Sequence, residues 1–272
     1  MQPARHSNLQ QQLFPAADTY TLYEQPLNER MRSLLRLEYL FSSIAESMSR
    51  ETPWDARNAI AGMIDVTDQL TRADIKGELI KEIERHATIV SGLRNNPGVN
   101  QTTLELTLAR LEPLLALLKS NACQPGAKLR QSDLITQVRQ RLAIPGGMCS
   151  FDLPGFHHWL NRSPERRADQ LNDWMEDLRI IEDAVHITLK LVRESAVPHK
   201  AAAVSGFYQQ SLDTNAACQL VRVVVADADD AFPEISGGKH RFAVRFLRYT
   251  EQCARPQQTT DTIHFELQIC GL

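Results

Sequence analysis

A chain of 272 residues with 43% hydrophobic content has room for one large domain or two and for a sizeable buried core. Its 30 lysines and arginines face 33 aspartates and glutamates, a net charge of −3, so it lacks the basic excess of a general nucleic-acid binder; any basic site is a local patch. Five cysteines with no CxxC spacing speak against a disulfide framework or structural zinc and for a reducing cytosol, and no apolar run reaches the roughly 18 residues of a membrane span.

The first residues are rich in glutamine and lack the apolar core of a secretory signal, so a disordered polar extension is expected over residues 1–19. Thr19 to Gln25 is β-prone and ends at Pro26, which predicts a strand. Asn28 then caps a helix to about Met48, with Met31, Leu34, Leu37, Phe41, Ile44 and Met48 recurring at threes and fours. Arg32 and Arg36 lie one turn apart on a neighbouring face. Thr52-Pro53-Trp54-Asp55 joins a capping threonine to a first-turn proline and an acid, a strong helix start. That helix carries Ile60, Met63, Ile64, Val66 and Leu70. Asp74 opens the next, with Ile75, Leu79, Ile83, His86 and Val90 inward, and Asn95-Asn96-Pro97-Gly98 ends it.

Leu104 to Leu118 reads as a leucine-rich helix buried on more than one side and bent at Pro113. Ser132-Asp133 starts a shorter helix through Leu142, closed by Pro145-Gly146-Gly147. From Ser163-Pro164-Glu165, the stripe Leu171, Trp174, Met175, Leu178, Ile181, Val185, Leu189 and Val192 predicts one helix running to Pro198. About 33 residues at roughly 1.5 Å each would make it near 50 Å long, a length that points to bundle or dimer packing.

Beyond Pro198 the period changes. Leu220 to Ala226 is a β-branched run, and Ile263, Phe265, Leu267 and Ile269 alternate with polar residues. Between them, Lys239 to Arg248 places Phe242, Val244 and Phe246 on one parity and Lys239, Arg241, Ala243 and Arg245 on the other. Turns are expected at Asp227 to Asp230, at Ser236-Gly237-Gly238 and at Arg255-Pro256. Helices followed by strands predict an α+β protein: a helical-bundle domain plus a smaller antiparallel β-sheet domain that takes in the N-terminal strand. The divisions fall at 1–19 for the extension, 20–26 for the strand joining the β domain, 27–197 for the helical domain and 198–272 for the β domain.

Little in the chain points to catalysis. Adjacent His157 and His158 face different ways and have no ligand-spaced third residue. Ser236-Gly237-Gly238-Lys239 lacks the spacing and the following helix of a phosphate loop, and a hairpin turn explains it better. Asp227, Asp229 and Asp230 lack the glycine and terminal glutamate of a calcium loop. No GxSxG or HExxH occurs. No catalytic residue, metal or cofactor is expected. The feature that points to a partner is the basic outer stripe of the strand, although a solvated face would look the same.

Several segments carry a resemblance: Pro26-Leu27-Asn28-Glu29-Arg30-Met31-Arg32, Val138 to Gly147 followed by Cys149 to Pro154, Ser205-Gly206-Phe207-Tyr208-Gln209, and Ile235-Ser236-Gly237 running into Arg241 to Phe246. Together they resemble the ZapD family of FtsZ-associated cell-division proteins, over about Thr21 to Ile269, with the residues before as an extension beyond the family's usual start. The resemblance implies a cytoplasmic homodimer at the midcell division ring. It implies binding to the C-terminal tail of FtsZ and crosslinking or bundling of its filaments, with no nucleic acid and no membrane insertion. By position it assigns the partner surface to Arg36, Arg72 and His157 in the helical domain and to Lys239, Arg241 and Arg245 in the strand. Relatives can carry arginine where this chain has Asp133; Arg130 stands nearly one turn earlier. The alternative from another class is a module that binds nucleotide or nucleic acid through the same stripe. The acidic net charge and Ala243 in place of an aromatic stacking platform disfavour it.

Overall fold

The structure, a computed structural model, describes residues 20–213, 217–226, 230–250 and 253–271. The expected N-terminal extension, Thr19 of the first strand, and Asp227 and Asp229 of the acidic turn lie outside the described residues. The chain forms two compact units: residues 32–191, and residues 20–31 joined with residues 192–271. It is an α+β protein, with helices in the first unit and antiparallel sheets in the second.

The described chain opens with β1 (Tyr20–Pro26) and continues into α1 (Glu29–Met48). The helices start where local chemistry can satisfy their free N–H groups. Asn28 Oδ1 accepts from Met31 N at 2.8 Å. α2 (Pro53–Arg72) begins with Thr52 Oγ1 accepting from Asp55 N at 3.2 Å, and α3 (Ile75–Gly92) with Asp74 Oδ1 accepting from Gly77 N at 3.0 Å. Leu34, Leu37, Phe41 and Ile44 of α1 and Ile60, Met63, Ile64 and Val66 of α2 are buried. A Cβ at Gly62 of α2 would lie 2.7 Å from Ile44 Cγ1, so only glycine permits that close helix approach.

In α4 (Gln101–Lys119) the expectation of burial on more than one side fails. Leu104, Leu108, Leu111 and Leu118 share one buried face, while Leu106 and Leu117 are 64% and 58% exposed. Pro113 sits within the helix on its exposed side, so the hydrogen bond it cannot donate to the Ala109 carbonyl falls where water replaces it. The short α5 (Ala127–Gln131) leads into α6 (Asp133–Leu142), which Ser132 caps, and α7 (Pro154–Leu160) follows.

The expected 33-residue helix is two helices, α8 (Pro164–Met175) and α9 (Arg179–Glu194), separated by a turn at Glu176-Asp177-Leu178. Asp177 Oδ2 accepts from the backbone N of Lys128 at 3.0 Å, and the Lys128 ammonium bridges Asp173 (2.7 Å) and Glu176. These contacts tie the turn to α5, and the two acceptors raise the Lys128 pKa above lysine's ordinary range. The apolar stripe keeps helical spacing through the break, so periodicity did not reveal it.

Among the described residues the β unit forms two four-stranded antiparallel sheets where the sequence suggests one. Its remaining strands are β2 (His199–Ala203), β3 (Phe207–Ser211), β4 (Cys218–Ala226), β5 (Phe232–Gly237), β6 (Arg241–Thr250), β7 (Cys253–Gln258) and β8 (Ile263–Gly271). One sheet runs β1-β4-β8-β2, so the N-terminal strand does join the C-terminal strands. The other runs β3-β6-β5, with β7 pairing the far part of β6 on the β3 side. Their inner faces share one core of Val221, Val223, Val225, Phe242, Val244, Phe246, Ile263, Phe265 and Leu267. The Phe246 and Phe265 ring centroids are 5.3 Å apart across it. Two expected turns are corrected. Arg255-Pro256 lies within β7, which pairs on one side only, where proline is tolerated. Ser236-Gly237 completes β5, and the turn is Gly238 to His240, closed by Gly238 N donating to Arg241 O at 3.0 Å.

Candidate partner-binding surface

The alternation of β6 fixes its two faces. Phe242, Val244 and Phe246 are buried in the shared core; Arg241 and Arg245 are exposed on the opposite face. Directly opposed residues of paired strands share a face, so the register lays out the outer surface in rows. Phe207, Arg245 and Glu234 form one row; Gln209, Ala243 and Ser236 the next; Ser211 and Arg241 the third. Arg245 and Arg241 therefore stand about 13 Å apart along the strand, over a low floor at Ala243. Arg245 approaches Glu234 at 3.8 Å with both side chains more than half exposed, a loose pair that a partner carboxylate can replace.

Lys239 is exposed, but in the turn rather than on the strand as expected. Gly237 is the last residue of β5 to pair, opposite Phe242. A Cβ there would lie 2.8 Å from Leu27 Cδ2, and Lys239 and His240 fall beyond the last pair of the ladder. Lys239 precedes Arg241 by two residues in the chain.

The three expected residues of the helical unit lie on three helices. Arg36 is exposed on α1, with Tyr39, 73% exposed, one turn on. Arg72 is exposed in the last turn of α2, where a cation complements the helix dipole. Burial raises the pKa of the Asp65 carboxyl earlier on α2; Asp68 adds to the shift and Arg72 opposes it. His157 is exposed on α7, because Phe156 and Trp159 take the buried face, and its Nε2 lies 3.4 Å from Asn161 Nδ2. Asp133 is in the first turn of α6, and Arg130 Nη1 donates to Pro125 O at 3.0 Å.

Sequence reasoning missed Phe207, which is exposed and in register with Arg245. The signal was available: Tyr208, the next residue, takes the inward parity, its ring 5.4 Å from Phe265. Among the described residues no group of three His, Cys, Asp or Glu side chains could hold a metal ion, and no helix is long and apolar enough to cross a membrane.

Arg241 and Arg245 are thus exposed cations at a fixed spacing on the outside of a sheet whose inner face is packed, an arrangement able to pair with anionic groups. The fold and this surface are those of an α+β protein with exposed cations on the outer face of one sheet. Comparison with known proteins supplies the setting. A family profile described as ZapD, a cell division protein, matches residues 35–245. "Cell division protein ZapD" of Methylococcus capsulatus is 38% identical over 251 residues, covering 92% of this chain and 98% of that protein. The protein of the same name from Aromatoleum aromaticum is 37% identical over 250 residues, covering 92% and 97%, and that from Bordetella petrii 38% over 253 residues, covering 92% and 99%. The chain belongs to the ZapD family of cell division proteins.

Proposed function

We propose that this protein binds the C-terminal tail of FtsZ and, as a homodimer, crosslinks FtsZ filaments at the midcell division ring in the cytoplasm. The observation that carries the proposal is the exposed Arg241–Arg245 pair on the outer face of a strand whose inner face is locked in the core, in a chain of this family. Guanidinium groups match carboxylates in fork geometry, so an acidic, partly apolar tail is a suitable ligand. Lys239 adds a third cation in the β unit, and Arg36, Arg72 and His157 are the contact residues proposed for the helical unit. Homodimerisation rests on the helical unit, where Leu106 and Leu117 leave apolar surface uncovered on α4. Two sites on one dimer bridge two filaments, and avidity raises weak single contacts to useful strength.

The test is the double variant Arg241→Glu, Arg245→Glu. Each charge-assisted bond is worth about 1.5–3 kcal/mol, so losing both costs at least about 3 kcal/mol. At roughly 1.4 kcal/mol per decade, that is about a hundredfold or more in affinity for the tail peptide. Both side chains point away from the core, so circular dichroism and light scattering should match the parent. A folded double variant that binds the tail as the parent does overturns the assignment.

A further inference from the structure

We infer that Val204 and Phe207 form the apolar anchor of the partner surface, seating a hydrophobic side chain of the ligand while Arg245 and Arg241 take its carboxylates. This rests on the tail-binding reading above and adds to it a second, uncharged determinant.

The two residues flank a turn in which Ser205 and Gly206 have φ of 51° and 69°. Phe207 N donates to Val204 O at 3.1 Å, the form of a type I′ turn. A serine at positive φ is strained, and such strain persists only where its surroundings over-determine it, commonly at binding sites. Here they do. Gly206 N donates to Asp261 O at 2.9 Å, Phe246 N to Gly206 O at 2.8 Å, and Gln258 Nε2 to Ser205 O at 2.8 Å. The Asp261 carboxylate is itself held by Arg248. A Cβ at position 206 would lie 2.5 Å from the Thr259 carbonyl oxygen, so the corner requires glycine.

What this rigid corner displays is apolar. Val204 is 67% exposed and Phe207 43%, and an isolated bridge opposes them. Since opposed residues share a face, the row reads Val204, Phe207, Arg245, Glu234 across the sheet. Neighbouring strands are about 5 Å apart, so a side chain resting on Phe207 stands one strand from Arg245, whose long side chain now leans to Glu234 at 3.8 Å and is free to swing to a ligand carboxylate, with Arg241 two rows further along. Apolar area and cations so arranged fit an acidic peptide with a hydrophobic side chain close to a carboxylate. A surface for polyanions alone has no use for the exposed valine and phenylalanine. A corner already fixed before binding lowers the ordering cost of the complex.

The experiment is fluorescence anisotropy with a synthetic FtsZ C-terminal tail peptide, and with a version whose aromatic and aliphatic residues are replaced by serine, over a range of salt. Phe207→Ala should weaken binding of the tail peptide about tenfold or more, as expected for a buried aromatic anchor. Phe207→Leu should restore most of the loss, and Val204→Ser should show a smaller loss in the same direction. The Phe207→Ala loss should persist at every salt concentration, because it removes no charge. The Arg241→Glu, Arg245→Glu variant should instead flatten the salt dependence. The serine-substituted peptide should not distinguish Phe207→Ala from the parent. Folded Phe207→Ala and Val204→Ser variants that bind the tail as the parent does, while the arginine variant fails, overturn this inference and leave the tail-binding reading standing. A parent protein that does not bind the tail overturns both.

Discussion

Replacing Glu24 tests how the β unit is held together. Glu24 stands on β1 opposite Arg222 of β4. Its Oε1 accepts from Arg222 Nε at 2.9 Å and from Arg193 Nε at 2.8 Å, and its Oε2 accepts from Arg193 Nη2 at 2.6 Å. Arg222 Nη1 continues the chain to Gln268 Oε1 of β8 at 2.6 Å. The side chains are only 16% (Glu24), 12% (Arg222) and 23% (Arg193) exposed, so water does little to replace these bonds. Glu24→Ala leaves two largely buried guanidiniums facing each other without their shared carboxylate. Breaking a fully buried pair costs about 3–5 kcal/mol; discounted for the residual exposure, about 2–4 kcal/mol is expected here. Glu24→Gln keeps one acceptor and the shape, and should cost about half as much. Urea unfolding gives the totals, and amide hydrogen exchange should show protection falling first along β1 and β4. A Glu24→Ala protein within about 0.5 kcal/mol of the parent, the range of an ordinary surface change, would refute the reasoning.

Three further outcomes follow from burial and backbone geometry elsewhere in the chain. Of the four cysteines with described side chains, Cys149 is exposed and Cys270 fully buried. Burial pushes the Cys270 thiol up to about 12, from an ordinary value near 9. Alkylation at neutral pH with peptide mapping should therefore modify Cys149 early and Cys270 only on unfolding. The unfolded chain alone gives up the Cys270 proton between about pH 9 and 12, so the stability owed to the neutral thiol is complete below about pH 9 and is lost as pH rises toward 12. Gly206→Ala should destabilise by more than about 1 kcal/mol, because it combines positive φ with a backbone clash; an unchanged urea midpoint would count against the pinned corner.

What the sequence revealed and what it hid divide along the range of the interactions. The starts of α1, α2, α3 and α6 were legible because their caps, Asn28, Thr52, Asp74 and Ser132, act over three residues. The inward parity of β6 was legible because it repeats within one strand. The division between α8 and α9 was not, because it depends on Lys128 meeting Asp173, Glu176 and Asp177 from more than 40 residues away. Alternation showed which side of each strand is buried but not which sheet it belongs to, so two sheets read as one. The polar and alanine-rich β2 and β3 passed unread, and with them the row that places Phe207 beside Arg245. Of the candidate surface, the two arginines were therefore visible in advance and their apolar neighbours were not.

The proposed function requires this protein to join FtsZ filaments through their C-terminal tails. Low-speed co-sedimentation of the protein with polymerised FtsZ, in parallel with FtsZ lacking its tail, measures it most directly. Bundles should pellet with intact FtsZ and vanish with the tail-deleted form; equal pelleting of both, or of neither, would overturn the proposed function.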